Sequence, residues 1–337
     1  DSIDADTVFA AASMSKWIAA HAMMTLVENG RVDLDAPVSG YLTRWQLPAS
    51  PFNNDAVTVR RLLSHTAGLN DNLGFGDYAL DERLPSLEEE LDRPRGSSGE
   101  SVSIAVTTEP GSEWNYSGGS YLLLELLIEE LTGDRYSRYV NEAIFKPLGM
   151  ARANFDPLGK TDNHAGIYLL DGSQIASHQY ASSAATGLVV SSDDLTKFVL
   201  SQVKQTAAAS PLRASTLAAM RVPHGRTSGV DIWGLGTILY APTKEGDFIF
   251  GHDGANDPAI NTAARINPDT GAAIIVLASG HPSVATNIGS QWVLWQTGYP
   301  DVLATDAVLA SMVTPAILGC IVILMCFVII GFRQRQR

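Results

Sequence analysis

Cysteine is nearly absent from this chain: it has two in 337 residues, Cys320 and Cys326, both inside one apolar stretch near the C-terminus. A disulfide frame, a thiol nucleophile and a thiolate metal site are therefore excluded from everything before that stretch. Positive charge is also scarce. Lys and Arg number 23 against 36 Asp and Glu, a formal charge of -13, so most of the surface would repel a nucleic-acid backbone. The seven histidines lack zinc-binding spacing such as His-Glu-x-x-His, and no segment repeats. The run Glu88-Glu89-Glu90 reads as a solvated face, so neither a metal nor a cofactor is expected. What the chain has in quantity is apolar surface. With 45% hydrophobic and 18% charged residues it can bury a sizeable core, in one large domain or two ordinary ones, and disorder is excluded as its main character.

Between Asp306 and Arg333 the chain carries no charge at all. As a helix, residues 307–332 would extend about 39 Å, more than the ~30 Å of a bilayer's hydrocarbon core, which predicts one tilted transmembrane helix. Arg333, Arg335 and Arg337 follow it, while Asp301 and Asp306 precede it. Because basic residues near a span are retained in the cytoplasm, the tail 333–337 is placed inside and residues 1–296 outside, with 297–306 as a linker. The expected location is thus the cell membrane, single-pass, with the large domain extracytoplasmic. An exported domain needs an export signal and none precedes Asp1, so the chain is expected to be processed or truncated at its start.

A helix pattern starts near Ser13 and runs to Glu28, apolar on nearly every face, closing at Asn29-Gly30. Val57 to Leu63 reads as a short helix. Residues 70–111 read as surface structure around a long polar loop. Ser120 to Leu131 is a second apolar helix, a third leads through Tyr139 to Pro147, and a fourth follows the N-cap chemistry of Ser191, Ser192 and Asp193. The last third changes period. Ile232 to Tyr240, Phe248 to His252, Ala259 to Ile266 and Ala272 to Ala278 are strand-like, and a helix around Ser290 to Gln296 closes the domain. The order predicts a mixed α/β fold with an antiparallel sheet.

Three short elements carry chemistry when read together. Ser13-Met14-Ser15-Lys16 opens the buried helix, and residues three apart share a face, so the Lys16 amine can reach the Ser13 hydroxyl and take its proton. Ser201-Gln202-Val203-Lys204 matches the same pattern but ends an amphipathic helix. Tyr116 stands at the mouth of a turn leading into a helix, where its hydroxyl can relay protons. Phe248 to Ala255 reads as a strand bearing His252 and then Gly254, a glycine that permits close backbone approach.

In that order, Ser-x-x-Lys, a tyrosine box and a His-x-Gly strand, the chain resembles the penicillin-recognising serine hydrolases, in particular the branch of class C β-lactamases, D-alanyl-D-alanine carboxypeptidases and related esterases. The likeness includes Leu62-Leu63-Ser64-His65-Thr66-Ala67-Gly68, Pro147 to Met150, Gly187-Leu188 and Gly234-Leu235-Gly236, and covers about residues 5 to 296. It implies a β-lactamase/transpeptidase-like fold, an antiparallel sheet flanked by helices with a helical subdomain. It also implies that Ser13 forms an acyl-enzyme, that Lys16 and Tyr116 move protons, and that His252 tunes that pair and binds the substrate's anionic end. The backbone N–H groups of Ser13 and Ala255 would form the oxyanion hole, with Gly118 and Gly254 lining the substrate. The implied partner is a small-molecule or peptide substrate, an ester or amide, and no nucleic acid.

Two departures qualify the likeness. The family's Tyr-x-Asn is Tyr116-Ser117-Gly118 here, so the amide that would hold an acylamino group is missing, which favours an esterase or peptidase over an efficient β-lactamase. Only twelve residues precede Ser13, where relatives carry a helix and two strands. Both departures motivate the alternative of a catalytically weak relative that serves as a binding or scaffolding protein at the cell surface.

Overall fold

The computed structural model describes residues 2–71, 74–99, 102–203, 210–256, 260–305, 314–315 and 317–325. Strand β1 (Val8–Ala10) leads into helix α1 (Met14–Glu28), followed by α2 (Val59–Leu63), α3 (Leu87–Asp92), α4 (Gly118–Thr132), α5 (Tyr136–Val140) and α6 (Lys146–Leu148). Short strands β2 (Ile167–Tyr168), β3 (Gln174–Ile175) and β4 (Val189–Ser191) precede α7 (Ser192–Leu200) and α8 (Ala214–Met220). Then come β5 (Gly225–Thr227), β6 (Val230–Trp233), β7 (Ile238–Pro242), β8 (Phe248–Asn256), β9 (Ile260–Ile266), β10 (Ala273–Ser279) and α9 (Val284–Thr297).

The last six strands form one antiparallel sheet in the order β10-β9-β8-β7-β6-β5. Period-two alternation divides it into two faces. Leu239, Phe250, Ala264 and Ile266 point into a core shared with α1, α2 and α4, while Ile238, Tyr240 and Ile249 pack against Val293 of α9 on the other side. Every residue of α1 from Met14 to Leu26 is buried, which is why its sequence shows no polar face. Helix α4 starts where Ser117 Oγ accepts from Ser120 N at 2.9 Å and stops at Gly133, whose φ of 73° closes the last turn.

The sheet differs from its sequence reading at two places: the edge strand β5 was not expected, and one expected strand is divided. The single strand expected over Ile232 to Tyr240 is two, β6 and β7, joined at Gly234-Leu235-Gly236. A Cβ on Gly234 would lie 2.0 Å from the Met220 carbonyl, and one on Gly236, at φ 71°, would lie 2.1 Å from Ala20 Cβ. The glycines let α1 and α8 crowd this turn, and alternation alone does not show it.

The transmembrane helix expected over 307–332 requires correction. Among the described residues no helix is long and apolar enough to cross a membrane. Within that stretch the described helical residues are 314–315 and 317–325. The single-pass membrane location built on it falls with it. Residues 306–313, 316 and 326–337, including the basic tail, lie outside the described residues. Upstream, Asp301 is 2% exposed, and its Oδ1 accepts from Leu303 N at 2.9 Å, starting a short helical turn over 302–305.

Candidate active site

Ser13 is the N-cap of α1, yet its side chain makes no capping hydrogen bond. An N-cap serine ordinarily spends its oxygen on the N–H groups of the first turn. Here the hydroxyl is left for Lys16, whose Nζ lies 3.4 Å from Ser13 Oγ and donates to the Ala185 carbonyl at 2.8 Å. Lys16 is 2% exposed. The turn that presents Ser13 is strained and pinned from three sides. Ala12 has a left-handed φ of 47°, a conformation that costs a non-glycine residue about 1–3 kcal/mol and tends to occur at functional sites. Ser15 Oγ donates to the Ala12 carbonyl (2.7 Å) and accepts from Leu188 N (2.9 Å), Ala11 N donates to the Leu188 carbonyl (2.8 Å), and Thr262 Oγ1 donates to the Ala11 carbonyl (3.1 Å).

Tyr116 reaches this group from the segment before α4, with Lys16 Nζ 5.1 Å from its ring centroid. Its ring is half-buried in an aromatic cluster with His65 at 4.5 Å and Trp233 at 5.6 Å. Trp233 also packs against His252, 5.5 Å away. Gly118, the first residue of α4, is buried one position after the Ser117 cap. Gly254 is where β8 abuts the Ser13 turn: a Cβ there would sit 2.2 Å from the Ala11 carbonyl and 2.4 Å from Thr262 Oγ1. Ala255 follows it on β8 and is exposed.

His65 and His252, both buried, hold opposite tautomers, assigned from their partners. Ser117 N donates to His65 Nδ1 at 3.0 Å, which leaves the His65 proton on Nε2. His252 Nδ1 lies 2.6 Å from the Asp253 carbonyl and must donate, which leaves Nε2 with a lone pair. Neither Nε2 has a partner among the described residues. Burial pushes His252 down to about 3, with the charges of Lys16 and Arg265 adding to the effect, and pushes His65 well below its ordinary value, helped by Lys16 and His252. Burial thus holds His252 neutral at physiological pH in the absence of substrate.

His65 was not singled out as chemistry from sequence, although it lies in the Leu62 to Gly68 likeness. Its left-handed φ of 57° and its contact with Tyr116 come from residues 51 positions apart, beyond the reach of local pattern. Ala185 was missed for a simpler reason: it acts through its carbonyl.

Beyond Ala185, the 178–189 segment lines a cavity of about 270 Å³ with Tyr180, Ser183, Thr186 and Leu188, closed by apolar groups such as Ile167 and Ile260. Asn256 Nδ2 donates to Thr186 Oγ1 at 3.1 Å, tying that segment to the end of β8.

A family profile described as Beta-lactamase matches residues 1–295. The chain is 29% identical over 170 residues to the putative penicillin-binding protein PbpX of Bacillus subtilis, an alignment covering 50% of this chain and 38% of that protein. It is 34% identical over 164 residues to the esterase EstB of Burkholderia gladioli, covering 44% and 39%. These alignments thus span well under half of the relatives' length. Among solved structures, a penicillin-binding protein from Bacillus halodurans superposes with a TM-score of 0.66 at 22% identity, covering 86% of this chain and 85% of that one, a likeness of fold. D-amino acid amidase from Ochrobactrum anthropi SV3 superposes with a TM-score of 0.63 at 25% identity, covering 83% and 81%.

Proposed function

The chain belongs to the Beta-lactamase family, and on that premise we propose that it is a serine hydrolase that cleaves an ester or amide through an acyl-enzyme on Ser13. The observation that carries this reading is the Ser13 hydroxyl, free of capping, 3.4 Å from Lys16 Nζ at the start of a buried helix. In its neutral form the Lys16 amine donates to Ala185 and accepts the Ser13 proton as Oγ attacks the substrate carbonyl. A 3.4 Å contact is long for proton transfer and would shorten once substrate binds. Tyr116, within the same cluster, relays a proton to the leaving group. The developing oxyanion faces the N–H groups of Ser13 and Ala255 and the positive end of the α1 dipole. Water then attacks the acyl-enzyme, the acid is released and Ser13 regains its proton.

One feature supports an ester or simple amide over an acylamino substrate: Gly118 has no side-chain amide. The esterase and the D-amino acid amidase among the similar proteins agree with that class. The cavity lined by the residues on either side of Ala185 has an apolar wall, with Leu188, Ile167 and Ile260, that suits an apolar substituent on the substrate.

The test uses the whole chain, a fluorophosphonate probe and a panel of p-nitrophenyl esters, amino acid amides and a fluorescent penicillin. The expected result is labelling of the wild type, its loss in Ser13→Ala, and ester or amide turnover exceeding penicillin turnover. No label and no turnover of esters or amides by the folded protein would overturn the proposal.

A further inference from the structure

Helix α4 buries a carboxylate that the chemistry above does not use. Glu125 lies between Leu124 and Leu126 and is 5% exposed. Its Oε2 accepts from Ser182 Oγ at 2.8 Å and from Ala184 N at 2.9 Å, and the Ser183 N–H also donates to the carboxylate. Ser182 Oγ accepts in turn from Ala185 N at 3.1 Å, and the Ala185 carbonyl accepts from Lys16 Nζ at 2.8 Å. The turn 182–185 is therefore wrapped on Glu125 at one end and holds Lys16 at the other.

We propose that Glu125 is a positioning residue for Lys16: its ionised carboxylate fixes the 182–185 turn, and the Ala185 carbonyl thereby keeps the amine 3.4 Å from Ser13 Oγ. This rests on the roles proposed above for Ser13 and Lys16. The donor pattern supports it. Every group that meets the carboxylate is an N–H or O–H, so the ionised form accepts all of them, whereas the protonated form must place its own proton among donors. That proton can go only to the Ser182 hydroxyl, which must then turn its own proton away, so a charge-assisted bond becomes a neutral one and the turn loosens at the residue that holds the lysine.

The same geometry makes the arrangement sensitive to pH near neutrality. Burial raises the Glu125 carboxyl to about 7, its bonds to the 182–184 segment oppose the rise, and the charge of Glu129, one turn along α4, adds to it. Tyr136 of α5 is the other titratable group facing it, its own phenol pushed up by burial and by the Glu125 charge. A folded-state value above the ordinary one means that the carboxylate form, and with it the tight turn, is gained as pH rises through about 7.

The experiment compares wild type, Glu125→Gln and Ser182→Ala in the whole chain. The rate of fluorophosphonate labelling is followed from acid to alkaline pH, kcat and KM are measured on an ester, and the Lys16 side chain is followed by NMR of carbon-labelled lysine. Glu125→Gln should cut labelling by about 10- to 100-fold at alkaline pH, within the range of a positioned proton-transfer group. KM should change little, and the limb with a midpoint near 7 should vanish. Ser182→Ala should slow labelling but keep the limb. The wild-type Lys16 resonance should shift with the same midpoint, and in Glu125→Gln it should not. A wild-type Lys16 signal that stays flat through neutrality overturns the proposal whether or not the probe labels and whether or not the variants fold. Equal labelling profiles for wild type and Glu125→Gln overturn it too. A wild type that shows the Lys16 shift but takes no label keeps the positioning role and sinks the hydrolase reading.

Discussion

Replacing Arg265 should cost this protein more stability at pH 8 than at pH 5. Arg265, on β9, is 1% exposed; its Nη1 donates to Asp253 Oδ1 at 2.6 Å and its Nη2 to Asp301 Oδ2 at 3.1 Å, with the Tyr240 ring 4.0 Å from Cζ. One guanidinium thus serves two carboxylates, and Arg265→Met leaves both acids in its place without a cation. Removing one partner from a buried ion pair costs about 3–5 kcal/mol. The wild-type Asp253 carboxyl is already raised, by burial first and by Asp301 as well, with Arg265 holding it down. Without Arg265 it rises further, so the folded state is penalised as pH rises from the ordinary carboxylate range through the raised value, at about 1.4 kcal/mol per pH unit per group.

Gly289 adds an internal control. A glycine inside a helix costs about 1 kcal/mol relative to alanine, but a Cβ at this position of α9 would lie 2.6 Å from Arg265 Cζ. The guanidinium, held by both acids and the Tyr240 ring, cannot yield. Gly289→Ala should therefore destabilise the wild type by about 1–2 kcal/mol, the loss of a charged hydrogen bond less the helix gain. In an Arg265→Met background it should stabilise by up to ~1 kcal/mol. Urea unfolding of the four proteins at pH 5 and 8, followed by tryptophan fluorescence, closes the cycle. A penalty for Arg265→Met that is the same at both pH values, or a Gly289→Ala effect of the same sign in both backgrounds, would refute the reasoning.

Two further outcomes follow from the same structure. Gly254→Ala places a Cβ 2.2 Å from the Ala11 carbonyl, a backbone atom that cannot swing away; β8 must shift from the Ser13 turn, and since about 1 Å of misplacement costs roughly 100-fold, labelling of Ser13 should fall on that scale, whereas wild-type labelling would show that the approach is not tight. Acid should also weaken the fold above the usual carboxylate range. His21 and His252 are buried and lowered to about 4 and about 3. The unfolded chain takes up protons near the ordinary 6.5 that the folded state refuses, so stability present above that value is lost as pH falls toward those lower values, by about 1.4 kcal/mol per pH unit for each histidine. Thermal unfolding at pH 7.5 and 5 measures the slope, and His21→Leu should flatten it; an unchanged slope would count against burial of a neutral imidazole.

How much of this was legible depended on how far apart the interacting residues lie. Helix α1 was plain because thirteen consecutive buried residues leave an unmistakable apolar run, and the Ser13 to Lys16 contact was plain because it is a single turn of that helix. Helix α9 was found but cut short, since Val284 to Ile288 of its first turns carry small and polar residues that do not read as helix. The packing of His65 against Tyr116, and the seat that Ala185 gives Lys16 across 169 positions, were illegible, since periodicity describes one face of one element and the site lies where several meet. The segment 307–332 errs the other way: hydropathy alone predicts a span there, and among the described residues no helix is long and apolar enough to cross a membrane.

One signal was available and went unused. A charge inside an apolar run must be paid for with partners, because an isolated buried ion is too costly to keep. Glu125 stands among the leucines of α4, and Arg265 stands in Ala263-Ala264-Arg265-Ile266. Each turned out to be the centre of a network reaching across the fold, to the 182–185 turn in one case and to Asp253 and Asp301 in the other. Lys16, in the equally apolar α1, was noticed only because a serine lies three residues before it. Had every such charge been asked where its partners could be, Glu125 and Arg265 would have been marked as junctions before any fold was known. Identifying the partner at the far end of the Glu125 network required the structure, because the Ala185 carbonyl is a main-chain atom on which side-chain pattern is silent.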